Sequence, residues 1–361
     1  MKLQQLGWTG FFVAEWNSCD RNDAKPARVI AEQRGIWRVA GDFGEARAEP
    51  SGKLRVRVAE GENWPAVGDW VSVKGNPPTG LAIGEVLRRR TAMVRKAAGK
   101  RIEQQVLAAN IDVAFLVMAL DNDYNPRRLE RYLTLVWDCG ARAVIVLNKR
   151  DLCADVDERV EEIERTAMGA PVSAVSAATG QGLREVESHL RSGETAVLLG
   201  SSGVGKSSIV NRLLRSESQR VHEVREHDSR GRHTTTAKQL FFVSSGAMII
   251  DTPGLRELQL WDAQQGLEQT FGEIEERAVV CKFRDCTHRG EPGCAVEVAI
   301  QEGRIERERL ESRRKLYREL DFLRRKTDAG ARQKEKQRIK TMHRAARDFY
   351  RQRNKARISD E

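Results

Sequence analysis

No stretch of this chain approaches the roughly 18–20 consecutive apolar residues that a membrane-spanning helix requires, which argues against such a helix. From Met1 to Phe12 there is one early lysine but no sustained apolar segment, and Glu15 follows soon after. A secretory leader has a different form, so a soluble cytoplasmic protein without membrane partners is expected. Cysteine is scarce, with six in 361 residues. Cys19, Cys139 and Cys153 are scattered singly, whereas Cys281, Cys286 and Cys294 are close together and enclose His288. Thiols spaced this way favour a metal site over a disulfide framework. Aromatic residues make up only 6%, yet 40% hydrophobic and 32% charged content suffices for a core and excludes wholesale disorder. No internal repeat is visible. The length suggests two or three domains, and a monomer is the expected state.

The net charge of +10 is unevenly placed. Residues 301–361 hold 21 Lys/Arg against 11 Asp/Glu, so the rest of the chain is neutral overall. A basic excess confined to the last sixty or so residues points to a polyanionic partner for the tail, against the plainer reading of a solvated charged helix pair. Within the tail, Leu316, Leu320 and Leu323 form one apolar stripe at helical spacing. Ile339, Met342, His343, Ala346, Phe349 and Tyr350 form another, and Asp328-Ala-Gly330 separates the two.

Between Ala27 and Met93 the pattern is one of short strands. Gly35-Ile-Trp-Arg-Val, Leu54-Arg-Val-Arg-Val and Asp69-Trp-Val-Ser-Val alternate apolar and polar residues between turn-forming clusters such as Gly75-Asn-Pro-Pro-Thr-Gly. Such a pattern suggests a small closed barrel. An oligonucleotide-binding (OB) fold is one such barrel, but strand periodicity alone does not single it out. Arg55, Arg57 and Arg88–Arg90 offer phosphate contacts there, or simply solubility. From Ile111 onward continuous apolar runs (Val113–Leu120, Ala143–Leu147, Ala196–Leu199, Ala247–Ile250) alternate with helical stretches such as Arg127–Asp138 and Asp155–Thr166. Buried parallel strands alternating with helices indicate an α/β doubly wound domain.

That domain carries the most specific motif. Gly200-Ser201-Ser202-Gly203-Val204-Gly205-Lys206-Ser207 fits GxxxxGK[ST] and follows an apolar strand, with Ser208 next in the helix. Glycines let backbone N–H groups close around phosphate oxygens, and the helix N-terminus adds its positive dipole. Lys206 reaches the β- and γ-phosphates, which makes it a candidate catalytic group, and the Ser207 hydroxyl ligates Mg²⁺. Downstream, Asp251-Thr-Pro-Gly254 places an aspartate at a strand end for Mg²⁺, with the Gly254 amide as γ-phosphate sensor. Upstream, Asn148-Lys149-Arg150-Asp151 fits NKxD: Asp151 accepts from the two donors on the guanine edge and Lys149 packs over the ring. Ser176-Ala177 follows another strand and offers a backbone N–H to the guanine oxygen.

Together these elements make a GTP site in an unusual order, because an ordinary GTPase runs phosphate loop, DxxG, NKxD, then the Ser-Ala loop. A sheet can be opened at one place and rejoined at another when its termini lie close together, so the order signals a circular permutation. Further on, Cys281, Cys286, His288 and Cys294 offer three thiolates and an imidazole. Zinc favours this Cys₃His set, and four protein ligands make a closed structural site. A module with little core of its own would depend on the metal for folding.

In its motifs the chain resembles the circularly permuted ribosome-assembly GTPases, specifically the small ribosomal subunit biogenesis GTPase A (YjeQ/EngC) family. The match is carried by Asn148–Asp151, Gly200–Ser207, Gly231-Arg-His-Thr-Thr-Thr236, Asp251–Gly254 and the Cys281–Cys294 cluster, in the family's order and over about residues 30–300. The resemblance implies that Gly231–Thr236 is switch I and that one of Thr234, Thr235 and Thr236 ligates Mg²⁺, with Thr235 taken here. Leu255 stands where many GTPases carry a water-positioning glutamine. Slow intrinsic hydrolysis is therefore expected; the resemblance implies stimulation by the small ribosomal subunit, and His233 is either the group that then positions water or a solvent-facing loop histidine. The implied fold is multidomain: an N-terminal arm (1–26), an OB-like β-barrel (27–97), a circularly permuted α/β P-loop GTPase domain (98–260), a zinc-binding module (261–300) and a basic helical tail (301–361). The implied function is GTP hydrolysis in late maturation of the small (30S) subunit, with rRNA as partner and zinc and Mg²⁺ as metals. A non-catalytic nucleotide-gated RNA-binding factor, or a GTPase acting on another RNA or a protein client, are the readings that compete with it.

Overall fold

The computed structural model describes residues 2–18, 23–33, 35–77, 80–96, 104–215, 238–251 and 263–327. Five strands, β1 (Lys25–Gln33), β2 (Ile36–Gly41), β3 (Gly44–Pro50), β4 (Trp70–Asn76) and β5 (Gly80–Val86), close into a ring. β1 pairs antiparallel with both β2 and β4, β3 pairs parallel with β5, and β5 returns antiparallel to β4. Ring closure leaves the barrel without a free edge. The segment Leu54-Arg-Val-Arg-Val, read above as a strand, is instead part of helix α2 (Gly52–Ala59), which joins β3 to β4. The Ser51 hydroxyl caps this helix by accepting from the Leu54 N–H at 3.2 Å. Only Leu54 is fully buried while Val56 faces water. A run of five residues can satisfy period two and period 3.6 alike, and here the cap decides.

The residues ahead of the barrel form helix α1 (Gly10–Asn17), which covers one end of it. Trp8 stacks edge-on against the buried Trp70 with centroids 4.5 Å apart, and Leu6 and Phe12 are fully enclosed. Beneath them lies Arg28, 2% exposed. Its guanidinium donates to the carbonyls of Leu6, Gly68 (3.2 Å) and Asn110 (3.2 Å) and to Thr195 Oγ1 (2.8 Å). One side chain thus ties the N-terminal arm, the barrel and the central sheet together. Burial pulls its pKa down to about 10, which leaves it charged at neutral pH. Arg28→Leu strands several buried acceptors. It is expected to lower unfolding stability by about 3 kcal/mol, measurable as a shifted denaturation midpoint with basal GTP turnover retained below the transition.

The central sheet has parallel order β10 (Val172–Ala174), β9 (Arg142–Asn148), β8 (Val113–Ala119), β11 (Thr195–Leu199), β13 (Met248–Asp251). Its outer strand β12 (Lys238–Phe242) runs antiparallel to β13 and pairs on its other side with β1, at Ala31↔Gln239 and Glu32↔Lys238. Barrel and central domain therefore share one continuous eleven-stranded sheet. A separate hairpin of β6 (Ala92–Lys96) and β7 (Gln104–Ala109) bridges them in sequence. Residues alternate along β8: Ala114, Leu116 and Met118 pack with helices α3 (Pro126–Cys139) and α4 (Val156–Thr166). Val113, Phe115 and Val117 pack on the other face with α5 (Leu183–Ser188) and α6 (Lys206–Arg215).

After the sheet come α7 (Gln264–Thr270), α8 (Gly272–Ala278), α9 (Ala295–Gln301) and α10 (Arg307–Thr327). Their shared core includes Leu267, Phe271, Ile274, Val296, Leu310, Leu316 and Leu320, so the first apolar stripe of the tail is an inward face. The second stripe, Ile339–Tyr350, lies outside the described residues. α10 is fastened to α3: Arg131 makes two hydrogen bonds to Glu319 (2.6 and 2.8 Å), and buried Glu130 pairs with buried Arg309 at 3.1 Å. Among the described residues no helix is long and apolar enough to cross a membrane.

Candidate nucleotide and metal sites

The phosphate loop leaves β11 at Gly200, whose φ of +149° and position against β8 admit no side chain: an added Cβ would lie 2.2 Å from the Val117 carbonyl oxygen. Gly203 and Gly205 also adopt positive φ, 83° and 97°, a conformation that glycine reaches at no steric cost. α6 then begins at Lys206, with Ser207 and Ser208 exposed in its first turn. The Lys206 ammonium donates to the carbonyls of Gly200 (2.7 Å) and Ser201 (2.5 Å), curling over the loop. Left-handed turns feeding a ten-residue helix, with a lysine and a serine at its mouth, fit the anion cradle that a nucleoside triphosphate and its Mg²⁺ require.

The NKxD segment sits at the end of β9 and touches this loop directly. Asn148, 2% exposed, donates from Nδ2 to the Val204 carbonyl at 2.8 Å and accepts at Oδ1 from the Ala177 N–H at 2.9 Å. Its amide is a staple holding the Gly200–Ser208 loop, the NKxD segment and the Ser-Ala loop together, and the Gly205 Cβ position lies 2.1 Å from the same Nδ2. The Ser176 N–H donates to Gln181 O at 2.9 Å and its hydroxyl accepts from the Thr179 N–H at 3.1 Å. Lys149, at φ 66°, is held by Asp121 at the end of β8, with Nζ 2.7 Å from Oδ2. The lysine hydrogen bond keeps the Asp121 carboxyl below its ordinary range. Asp151 stands exposed in the following turn, and Asp251 ends β13, also exposed.

Several residues of the site carry no local signal. Asp121 anchors Lys149. Arg212, from α6, donates to Ala177 O at 3.1 Å and to Ala178 O, clamping the Ser-Ala loop. Arg128 donates to the Ser201 hydroxyl and pairs with Asp123 at 2.5 Å, linking α3 to the phosphate loop. Of the barrel arginines, Arg57 donates to Gly84 O at 2.6 Å, Arg89 makes paired hydrogen bonds to buried Asp69 (2.8 and 2.7 Å), and Arg90 pairs with Asp112. Those three guanidiniums also brace the fold, a role the sequence pattern does not show. The expected switch positions Gly231, His233, Thr234, Thr235, Thr236, Gly254 and Leu255 lie outside the described residues.

Cys281, Cys286, His288 and Cys294 converge, each with a ligand atom within 4.8 Å of the others'. His288 Nδ1 lies 3.6 Å from Cys281 Sγ and 3.5 Å from Cys294 Sγ. A tetrahedral ion with bonds of about 2.3 Å to sulfur and about 2.0 Å to nitrogen requires a sulfur–nitrogen separation of about 3.5 Å, so this donor set can hold one. His288 takes φ 59°, and Gly290 and Gly293 also turn left-handed, which folds the loop back on itself. Glu291 staples that turn: its carboxylate accepts from the N–H groups of Thr287 (2.9 Å) and Arg289 (2.6 Å). The Thr287 hydroxyl donates as well, and this bond, with those from the backbone, pulls the Glu291 carboxyl down to about 2. Arg314 of α10 donates to His288 O at 2.5 Å. Contrary to the expectation of little core, the loop rests on the α7–α10 cluster, of which Cys294 is a buried member.

Comparison with known proteins fits this geometry. The RsgA GTPase family profile matches residues 86–261. The chain is 42% identical to the small ribosomal subunit biogenesis GTPase RsgA of Syntrophotalea carbinolica, over 98% of this chain and 99% of that one. It is 46% identical to the protein of the same name from Methanosarcina acetivorans, over 77% and 76% of the two chains. Among solved structures it is similar to YjeQ of Thermotoga maritima, with a TM-score of 0.63 and 27% identity over 82% of this chain and 98% of that one. The circularly permuted GTPase YloQ shares its fold at a TM-score of 0.60. A GxxxxGKS loop after a buried strand, an NKxD segment preceding it in sequence yet bonded to it in space, a barrel and a Cys₃His cluster are thus the parts of one known architecture, and the chain belongs to the RsgA family of circularly permuted GTPases and is a GTP hydrolase.

Proposed function

We propose that the chain binds the small (30S) ribosomal subunit and acts in its late maturation, hydrolysing GTP to GDP and phosphate with stimulation by the subunit and leaving after hydrolysis. The observation that carries this reading is the Asn148 junction, where one buried amide fastens three nucleotide loops in permuted order. Its context is a chain 42% identical to a relative named for small-subunit biogenesis. In this reading Asp151 accepts from the guanine edge, Lys149 covers the ring, and the amides of Gly200–Ser208 surround the phosphates. Lys206 moves from the Gly200 and Ser201 carbonyls to the β- and γ-phosphates. Ser207, Thr235 and Asp251 hold Mg²⁺, which when bound neutralises charge on the phosphate oxygens. One structural zinc ion fills the Cys₃His site. The protein works in the cytoplasm as a monomer. The barrel and the basic tail grip rRNA, residues 98–260 switch, and residues 261–300 relay the switch.

The experiment is steady-state phosphate release from GTP and ATP, with and without purified small subunits, at low and high salt. Slow GTP-specific turnover that rises with subunits, and loses that rise as salt strips phosphate contacts, is the expected result. Absence of stimulation overturns the ribosomal part of the proposal. His233→Ala is expected to reduce subunit-stimulated turnover roughly 10²-fold with basal turnover retained. Full stimulation in that variant removes His233 from the mechanism.

A further inference from the structure

A cavity of about 360 Å³ opens where the barrel meets the central sheet, and neither the Asn148–Asp151 segment nor the Gly200–Ser208 loop lines it. Its walls come from β1, β2, α2, the loop ahead of β4, β7 and β12. The innermost wall is Trp37, 4% exposed, with its indole N–H donating to the Pro65 carbonyl at 2.9 Å. On it stacks Trp64, with centroids 5.9 Å apart and planes 24° from parallel. Trp64 nevertheless leaves 44% of its surface exposed. Its backbone is fixed as well: the Trp64 carbonyl accepts from Arg89 at 3.2 Å, and Arg89 is locked onto buried Asp69. A large indole held rigidly, half in water, beside a cavity is a preformed stacking platform.

The rim supplies the matching chemistry. Arg55 lines the cavity from α2, its Nε donating to the Pro50 carbonyl at 3.3 Å, while Lys238 of β12 is ion-paired at 3.1 Å with Glu32, which also lines the cavity, so among the described residues Arg55 is the lining cation left for a ligand. Asn63 and Gln105 add amides that can meet the edge of a planar heterocycle. An aromatic face flanked by a cation and side-chain amides is how single-stranded nucleic acid is held: bases stack, phosphates pair with Arg and Lys, and amides read base edges. The cavity is large enough for one nucleobase and too confined for a duplex.

We propose that this cavity is a seat for one unstacked base of single-stranded RNA, with Trp64 as the stacking face and Arg55 against the adjoining phosphate. This rests on the reading above that the chain works on ribosomal RNA, and it names a contact point for that partner at the seam between barrel and GTPase sheet.

The test uses the full-length, metal-loaded chain and fluorescein-labelled eight-nucleotide oligoadenylate and oligouridylate, with affinity read by anisotropy at several salt concentrations. Trp64→Ala is expected to weaken binding between about 5- and 100-fold, the range of a single lost base stack. Trp64→Phe should retain most of the affinity. Arg55→Ala should lower the salt slope by about one. Basal GTP turnover of all three variants should match the wild type, which shows that they fold. The proposal is overturned if the wild-type chain does not bind the oligonucleotides, if Trp64→Ala binds as well as wild type, or if an abasic oligomer of equal length competes equally. Subunit-stimulated turnover of the wild type separates the two readings. No stimulation with Trp64-dependent RNA binding removes only the ribosomal assignment. Stimulation with Trp64-independent binding removes only the base seat.

Discussion

Replacing Asp151 by asparagine is expected to turn the enzyme from GTP to xanthosine triphosphate. Guanine presents two donors, N1–H and the 2-amino group, to a carboxylate that only accepts. Xanthine keeps N1–H but carries a carbonyl oxygen at position 2, which a carboxylate repels and an asparagine amide can satisfy, with Oδ1 accepting and Nδ2 donating. The exposed position of Asp151, in a turn whose neighbours Lys149 and Arg150 are anchored elsewhere, allows the exchange without disturbing the loop. Because a mismatched site leaves donors and acceptors unpaired, the GTP kcat/KM should fall at least about 10²-fold while the xanthosine triphosphate value rises by a comparable factor. Phosphate release with both nucleotides measures this directly, and unchanged GTP preference would remove Asp151 from base recognition. Asn148→Ala should behave differently. It breaks the bonds to Val204 and Ala177 that join the loops, so GTP, GDP and xanthosine nucleotides should all weaken by a similar factor.

Stripping the metal should dissolve one loop and spare the rest of the chain. The Cys₃His loop has few apolar groups of its own, yet α7, α8 and α10 bury a continuous core beneath it, and the buried Glu130–Arg309 ion pair ties α10 to α3. A strong chelator is therefore expected to make the Cys281–Cys294 segment protease-sensitive, with little change in far-ultraviolet circular dichroism and with basal GTP turnover intact. Elemental analysis before treatment should give one zinc per chain. Cys294→Ser should do more damage than Cys286→Ser. Cys294 is 2% exposed, belongs to the core and caps α9 through the Glu297 N–H at 3.4 Å, whereas Cys286 is only half-buried. Global unfolding on metal removal, as in an isolated zinc finger, would show that the helical core does not stand alone.

How far the amino-acid sequence could be read follows from the range of the forces involved. The phosphate loop, NKxD and the Cys₃His cluster are local: their chemistry demands particular residues within a few positions, and so they are visible in the string. The parallel strands were legible because burial on both faces leaves unbroken apolar runs such as Val113–Ala119. Arg28, Asp121, Arg128 and Arg212 were not, because nothing in their own neighbourhood distinguishes them and their partners lie far along the chain, 167 residues away for Arg28 and Thr195. The barrel arginines illustrate the same limit: Arg57, Arg89 and Arg90 look like a basic surface in one dimension and in three also fasten the fold, Arg57 and Arg89 from partly buried positions and Arg90 from an exposed one. Leu54–Val58 was misread because its length is too short to separate strand from helix, and the Ser51 cap carries the decision.

The pairing of β1 with β12 has a consequence for how this protein can be divided. Two modules joined by a linker can be cut apart, but these two are woven edge to edge. A fragment starting after the barrel would present β12 with unpaired amides and carbonyls on its outer side, beside the apolar side chains of Leu240 and Ile250, which are buried in the intact chain. Such an edge recruits strands from other chains. The isolated GTPase core should therefore precipitate or form aberrant assemblies while the intact chain stays dispersed, so the barrel also serves the enzyme as the guard of its own sheet.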